Sequence, residues 1–182
     1  MKIISGNLKG RKLSAPRGNA VRPTGARVKE ALFSILGDEV VGAVVLDLFA
    51  GSGNLGIEAL SRGAKWCTFV EQGPRTVSVL QKNLGDLGLS EKSATLKIDA
   101  IQSLRLLSKG EQPFDIIFLD PPYAYRKIWD VLYAVSEYPV LRSEGLVVWE
   151  HDTKKKPEER YGKLIRTLTK QYGDTSITFF VG

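Results

Sequence analysis

Val44-Val45-Leu46-Asp47-Leu48-Phe49-Ala50-Gly51-Ser52-Gly53-Asn54-Leu55-Gly56 carries the strongest fold signal in this chain. Residues 44–49 are apolar except for Asp47, as expected of a parallel strand buried on both faces. The run passes into a Gly-x-Gly-x-x-Gly loop at Gly51, Gly53 and Gly56, between a strand and a helix that begins near Asn54. Gly51 and Gly53 allow a tight turn and a close backbone approach to a ligand, with Ala50 and Ser52 completing the loop. The helix aims free N–H groups and a partial positive charge at an anionic group. Glu71, at the end of a second apolar run, is placed to accept both hydroxyls of a ribose.

Two ligand classes share this arrangement. A nicotinamide or flavin enzyme uses such a loop for pyrophosphate, and a methyltransferase uses it for the carboxylate end of S-adenosylmethionine. Asp47 favours the second, because a carboxylate inside an apolar strand is costly unless a cation is near. A sulfonium or an amino group would stabilise it, whereas a pyrophosphate would repel it.

Upstream, Lys2–Ser5 and Arg11–Leu13 flank Asn7–Gly10 and predict a β-hairpin. Thr24 reads as the N-cap of a helix over Arg27–Leu36, with Val28, Ala31, Leu32 and Ile35 on one face. Downstream, apolar runs alternate with helical periodicity. Strands are predicted over Trp66–Val70, Thr95–Ile98, Phe114–Leu119 and Leu146–Glu150, and helices over Asn54–Arg62, Arg75–Leu87, Ile101–Leu107 and Ile128–Ser136. Leu164–Thr169 and Thr175–Val181 read as a closing antiparallel hairpin. This order predicts an α/β, doubly wound, Rossmann-like sheet with a parallel centre, in which ligands sit beyond the carboxyl ends of the strands. One domain over residues 1–182 is expected, with residues 1–23 a basic arm and 24–182 the cofactor-binding core.

Two further strand ends carry chemistry. Asp99-Ala100 ends the third predicted strand, where a carboxylate could accept an adenine amino group, cap the next helix, or do both. The fourth strand ends in Asp120-Pro121-Pro122-Tyr123, a sequence that chance would place in only about two chains per thousand of this length. An exocyclic amine on a nucleobase is a poor nucleophile, since its lone pair is delocalised into the ring. The Asp120 carboxylate and the Pro121 carbonyl can accept both of its N–H bonds and turn the lone pair toward a methyl donor. Consecutive prolines fix φ and remove backbone donors, and Tyr123 can stack on the base. A paired base would first have to leave its stack. Hydride transfer needs none of this.

Composition bounds the alternatives. With one Cys (Cys67) and one His (His151), neither a disulfide framework nor a Cys/His zinc site is expected. Neither a signal peptide nor a membrane helix is expected, which points to a cytoplasmic protein. The net charge is +6, yet Lys2, Lys9, Arg11, Lys12, Arg17, Arg22, Arg27 and Lys29 precede the first acidic residue, and the rest of the chain is slightly acidic. A one-signed leader broken by glycines reads as a nucleic-acid contact arm, with Lys9, Arg11, Lys12, Arg22 and Arg27 as RNA-binding candidates. Arg22 and Thr24 have the alternative role of closing over the cofactor's carboxylate. Lys154-Lys155-Lys156-Pro157-Glu158-Glu159-Arg160 reads as a solvated loop.

The chain resembles the RsmD-type 16S rRNA guanine-N2 methyltransferases up to about Thr153. The matching stretches are Ile3-Ile4-Ser5-Gly6, Gly10-Arg11-Lys12-Leu13, Arg22-Pro23-Thr24, Arg27-Val28-Lys29-Glu30-Ala31-Leu32-Phe33, the loop 46–53, and Phe118-Leu119-Asp120-Pro121-Pro122-Tyr123. The N-terminal block and the helix Gly56-Ile57-Glu58-Ala59-Leu60-Ser61-Arg62-Gly63-Ala64 are the specific part. The resemblance implies a seven-stranded class I methyltransferase fold with an N-terminal hairpin that grips RNA. It also implies a monomer acting on 16S rRNA within a partly assembled small ribosomal subunit. Carried over by position, S-adenosylmethionine would meet Asp47, Ala50, Gly51, Ser52, Gly53, Glu71, Asp99 and Ala100, with catalysis at Asp120 to Tyr123. An adenine-N6 or cytosine-N4 methyltransferase, and an inactive RNA-binding assembly factor, are the alternatives.

Overall fold

The computed structural model describes residues 1–15, 25–110 and 112–182. After an N-terminal arm come α1 (Gly25–Leu36), β1 (Val44–Asp47), α2 (Asn54–Ser61), β2 (Trp66–Val70), α3 (Pro74–Asp86), β3 (Ser93–Leu96) and α4 (Ala100–Leu107). Then follow β4 (Phe114–Leu119), α5 (Ile128–Glu137), β5 (Leu141–Asp152), β6 (Arg160–Tyr161), β7 (Leu164–Tyr172) and β8 (Thr175–Val181). The strands form one sheet in the order β3-β2-β1-β4-β5-β8-β7-β6. The first five run parallel, and β8, β7 and β6 close the sheet antiparallel. This is the Rossmann-like arrangement that the alternation of elements predicts.

Strand pleat sorts the side chains onto two faces. In β4, Ile116 and Phe118 join the cluster beneath α1, α2 and α3, while Ile117 and Leu119 join the cluster beneath α4 and α5. In β1, Val45 belongs to the first cluster and Leu46 to the second. Asp47 therefore points toward α2, where Gly56 lies. The strand order reverses between β1 and β4, so the ends of these two strands border the crevice where α/β sheets bind ligands. Among the described residues no helix is long and apolar enough to cross a membrane.

One expectation is corrected. Among the described residues the sheet has eight strands rather than seven: Arg160–Tyr161 pairs with Leu164–Ile165 around Gly162, a pairing too short to show alternation in sequence. The expected N-terminal hairpin is present: Lys2 bridges Lys12, and backbone hydrogen bonds join Ile3 to Gly10 and Arg11, and Met1 to Leu13. Its remaining backbone groups turn to α2. The Ile4 and Ser5 N–H groups donate to the Glu58 carboxylate, and those of Asn7 and Leu8 donate to the Ser61 carbonyl and hydroxyl. The arm is thus paired with itself and stitched to α2. Gly6 has φ +82, and a Cβ there would overlap the Ser61 carbonyl. The two stretches most specific to the family resemblance are one docked unit.

Candidate active site

The loop after β1 is held from several sides. Gly53 caps α2 in the left-handed region at φ 93, and a Cβ there would lie 2.6 Å from Ile57 Cδ1 and 2.7 Å from Leu80 Cδ1. Having no side chain, Gly53 leaves the first turn of α2 without a side-chain cap. Asp47 supplies a substitute, since its Oδ2 accepts from the Gly56 N–H at 3.0 Å. Its other oxygen, Oδ1, is buried without a hydrogen-bond partner. Burial and the nearby Asp120 and Glu71 carboxylates raise the Asp47 pKa to about 7, against the Gly56 hydrogen bond.

Glu71 follows β2 directly. Its Oε2 accepts from Gly51 N–H at 3.1 Å and its Oε1 from Gly73 N–H at 2.7 Å, so it fixes the loop's first glycine. Asp99 caps α4, its Oδ1 accepting from the Ile101 and Gln102 amides, and Ala100 is buried at the helix start. The capping reading of Asp99 holds, and Oδ1 alone makes both bonds.

Asp120 stands at the end of β4, beside β1, and burial raises its pKa to about 6. Pro121 is buried, and the Pro122 carbonyl accepts from Tyr125 N–H, closing a turn after the tetrapeptide. Tyr123 is 49% exposed, with its hydroxyl 3.5 Å from Thr175 Oγ1 on β8.

Three carboxylates, Asp47, Glu71 and Asp120, thus converge beyond neighbouring strand ends, and Asp47 feels the charge of the other two. Among the described residues none of the three is in an ion pair. An unneutralised cluster of this kind suits a cationic ligand and opposes a pyrophosphate.

The basic candidates are scattered more widely. Lys9, Lys12 and Arg27 are exposed, Arg11 donates to the Asp86 carbonyl at the end of α3, and Arg22, Thr24 and Arg17 lie outside the described residues. Lys29 is corrected from a leader charge to a core residue. At 2% exposure its Nζ lies 3.0 Å from Glu58 Oε2 and donates to the Lys2 carbonyl and Asn54 Oδ1. Burial pulls its pKa down while Glu58 acts against that.

The sequence pattern missed two groups here. Tyr125 packs edge-on against Phe49 at 5.0 Å, and its buried hydroxyl has no hydrogen-bond partner among the described residues. Its proximity in sequence to the tetrapeptide was the available signal. Asn83, buried in α3, donates to the Ser52 carbonyl in the loop.

The family model described as conserved hypothetical protein 95 matches residues 1–181. The chain belongs to this family. The match runs past Thr153 to the end of the antiparallel closure, beyond the reach of the motifs. Within it, the Bacillus subtilis (strain 168) protein YlbH is 41% identical over 180 residues, covering 99% of this chain and 98% of the relative. The ribosomal RNA small subunit methyltransferase D of Haemophilus influenzae is 37% identical over 155 residues, or 85% of this chain and 80% of that one. Among solved structures, the T. thermophilus 16S rRNA N2 methyltransferase RsmC, in complex with AdoMet and guanosine, superposes with a TM-score of 0.72 at 27% identity. That match covers 91% of this chain and 44% of the other.

Proposed function

We propose that this chain is an S-adenosylmethionine-dependent methyltransferase that methylates the exocyclic N2 amino group of a guanine in 16S rRNA of the small ribosomal subunit. The observation that carries the reading is the cluster of Asp47, Glu71 and Asp120 at the switch point, with Asp47 Oδ1 buried and making no hydrogen bond. The names of the Haemophilus and Thermus proteins support the reaction class and the RNA substrate.

S-adenosylmethionine, when bound, supplies an electrophilic methyl group on a sulfonium. The loop residues Ala50, Gly51, Ser52 and Gly53 and the N-terminus of α2 would hold its carboxylate end. Asp47 Oδ1 would accept from its amino group. Glu71 keeps lone pairs for the ribose hydroxyls, and Asp99 with Ala100 borders the adenine position.

For the base, the Asp120 carboxylate and Pro121 carbonyl accept the two N–H bonds, while Tyr123 stacks on the ring and fixes its plane. The new N–C bond forms as the C–S bond breaks, and the displaced proton passes to an Asp120 oxygen or to water. With a pKa of about 6, Asp120 is ionised at neutral pH and accepts on both oxygens. Methyl transfer should therefore fall as pH drops through about 6. Residues 1–23 act as the basic arm on the core 24–182, with Lys9, Arg11, Lys12, Arg22 and Arg27 as its phosphate contacts.

The test is incubation with methyl-labelled S-adenosylmethionine and undermethylated small subunits, followed by nucleoside analysis. Label in N2-methylguanosine is expected. No transfer, or transfer to ribose or a ring carbon, would defeat the reading.

A further inference from the structure

Asn83 is 2% exposed in the last turn of α3, on the buried face that Val77, Leu80 and Leu84 form. Its side chain makes three hydrogen bonds. Oδ1 accepts from Ser14 N–H at 2.9 Å, and Nδ2 donates to the Ser14 carbonyl at 3.1 Å and to the Ser52 carbonyl at 2.9 Å. One amide therefore grips the arm like a strand neighbour and spends its second hydrogen on the glycine loop. Lys29 makes a parallel connection on the other side, joining the Lys2 carbonyl in the arm to Asn54 Oδ1 just after Gly53. The loop between Ser52 and Asn54 is thus tied to the arm at both of its ends, through groups that are themselves buried.

We infer that Asn83 is a positioning residue that sets the cofactor loop through the docked arm, so that arm docking and ligand affinity at the loop are coupled. The chemistry is geometric. A loop that presents backbone N–H groups to an anion works only if its carbonyls are held away, and the Ser52 carbonyl is held by a donor whose orientation Ser14 fixes. Undocking the arm removes two of the three bonds that orient the Asn83 amide. Coupling of this sort is reciprocal, so a ligand that orders the loop must also tighten the arm. The partner that the arm engages would then adjust cofactor affinity from outside the site. This inference rests on the proposed function, which places S-adenosylmethionine at the loop.

Gly6→Ala offers a remote handle. The added Cβ would overlap the Ser61 carbonyl and undock the arm, yet Ser61 lies roughly 10 Å along α2 from the loop. Calorimetric titration with S-adenosylhomocysteine should show about 5-fold or greater weakening in Gly6→Ala and in Asn83→Ala. The double variant should lose less than the two single losses added together, because Gly6→Ala already removes the Ser14 bonds through which Asn83 acts. In the unaltered protein, saturating S-adenosylhomocysteine should slow hydrogen exchange at the Ser14 and Leu13 amides, a readout that needs no variant to fold. Unaltered affinity in Gly6→Ala, additive losses in the double variant, or ligand-independent exchange at those amides would each overturn the coupling while leaving the proposed function standing. Failure of the unaltered protein to bind S-adenosylhomocysteine would overturn both.

Discussion

Asp47 and Glu58 are both buried carboxylates at the same short helix, one accepting from its N-terminal half and the other carried in its C-terminal half, and they are provided for in opposite ways. Glu58, fully buried, receives the Ile4 and Ser5 amides, Arg62 Nε and the Lys29 ammonium. Burial alone would raise its pKa, but the Ile4 amide, Lys29 and Arg62 outweigh that and hold it below the usual carboxylate range. Asp47 has only the backbone N–H groups of Gly56 and Phe49 in its favour, and burial with two further carboxylates raises its pKa to about 7. The Glu58 end is complete in the free protein. The Asp47 end is left short of a cation, and the shortage marks where a ligand belongs.

Removing one partner from each end gives the largest contrast. Glu58→Ala strands Lys29 and two arm amides, and should destabilise the fold by about 3–5 kcal/mol in urea denaturation. Asp47→Asn relieves a buried charge and should change stability by about 1 kcal/mol or less, while weakening S-adenosylmethionine binding. Equal losses of stability would erase the distinction.

Asp120→Ala should reduce turnover by about 100- to 1,000-fold with little change in cofactor affinity, as measured by single-turnover transfer and titration. Full activity in that variant would remove Asp120 from the chemistry.

The pH dependence of stability should have opposite signs at the two ends. Asp47 has a folded pKa above its unfolded value, so its favourable contribution is complete below about pH 4 and disappears as pH rises toward 7. Glu58 has a lowered folded pKa, so its contribution holds at neutral pH and is lost as pH falls through the acid range. Urea midpoints against pH should lose part of their decline between about 4 and 7 in Asp47→Asn, Asp120 supplying the rest, and lose part of their acid limb in Glu58→Gln.

The smallest effect lies on the arm. Neutralising Arg11, Lys12 and Arg22 together should lower the salt slope of RNA binding by about 2, at roughly 0.7 per single-strand phosphate contact. An unchanged slope would leave these side chains merely solvated.

The sheet was legible wherever apolar runs were unbroken. Trp66–Val70 and Phe114–Leu119 appear with the bounds that their composition predicts. β5 begins at Leu141 rather than Leu146, because Arg142, Ser143 and Glu144 are exposed and give no apolar signal, although Leu141 pairs with Phe114. At the site, the loop and the tetrapeptide were legible because their chemistry is local in sequence. Lys29 and Asn83 were not, since their partners lie 25 to 31 or more residues away. A trace of both was present: each falls in the apolar stripe of its helix, Lys29 with Val28, Leu32 and Phe33, and Asn83 with Val77, Leu80 and Leu84. A polar side chain in such a stripe must be satisfied by something distant.

A crystal structure of the protein with S-adenosylhomocysteine tests the central claim most directly. The ligand is expected against residues 50–53, with its amino group on the Asp47 oxygen that has no protein partner, and with Asp120 and Tyr123 facing the sulfur side. A ligand bound elsewhere, or an Asp47 oxygen still without a partner beside it, would contradict the account.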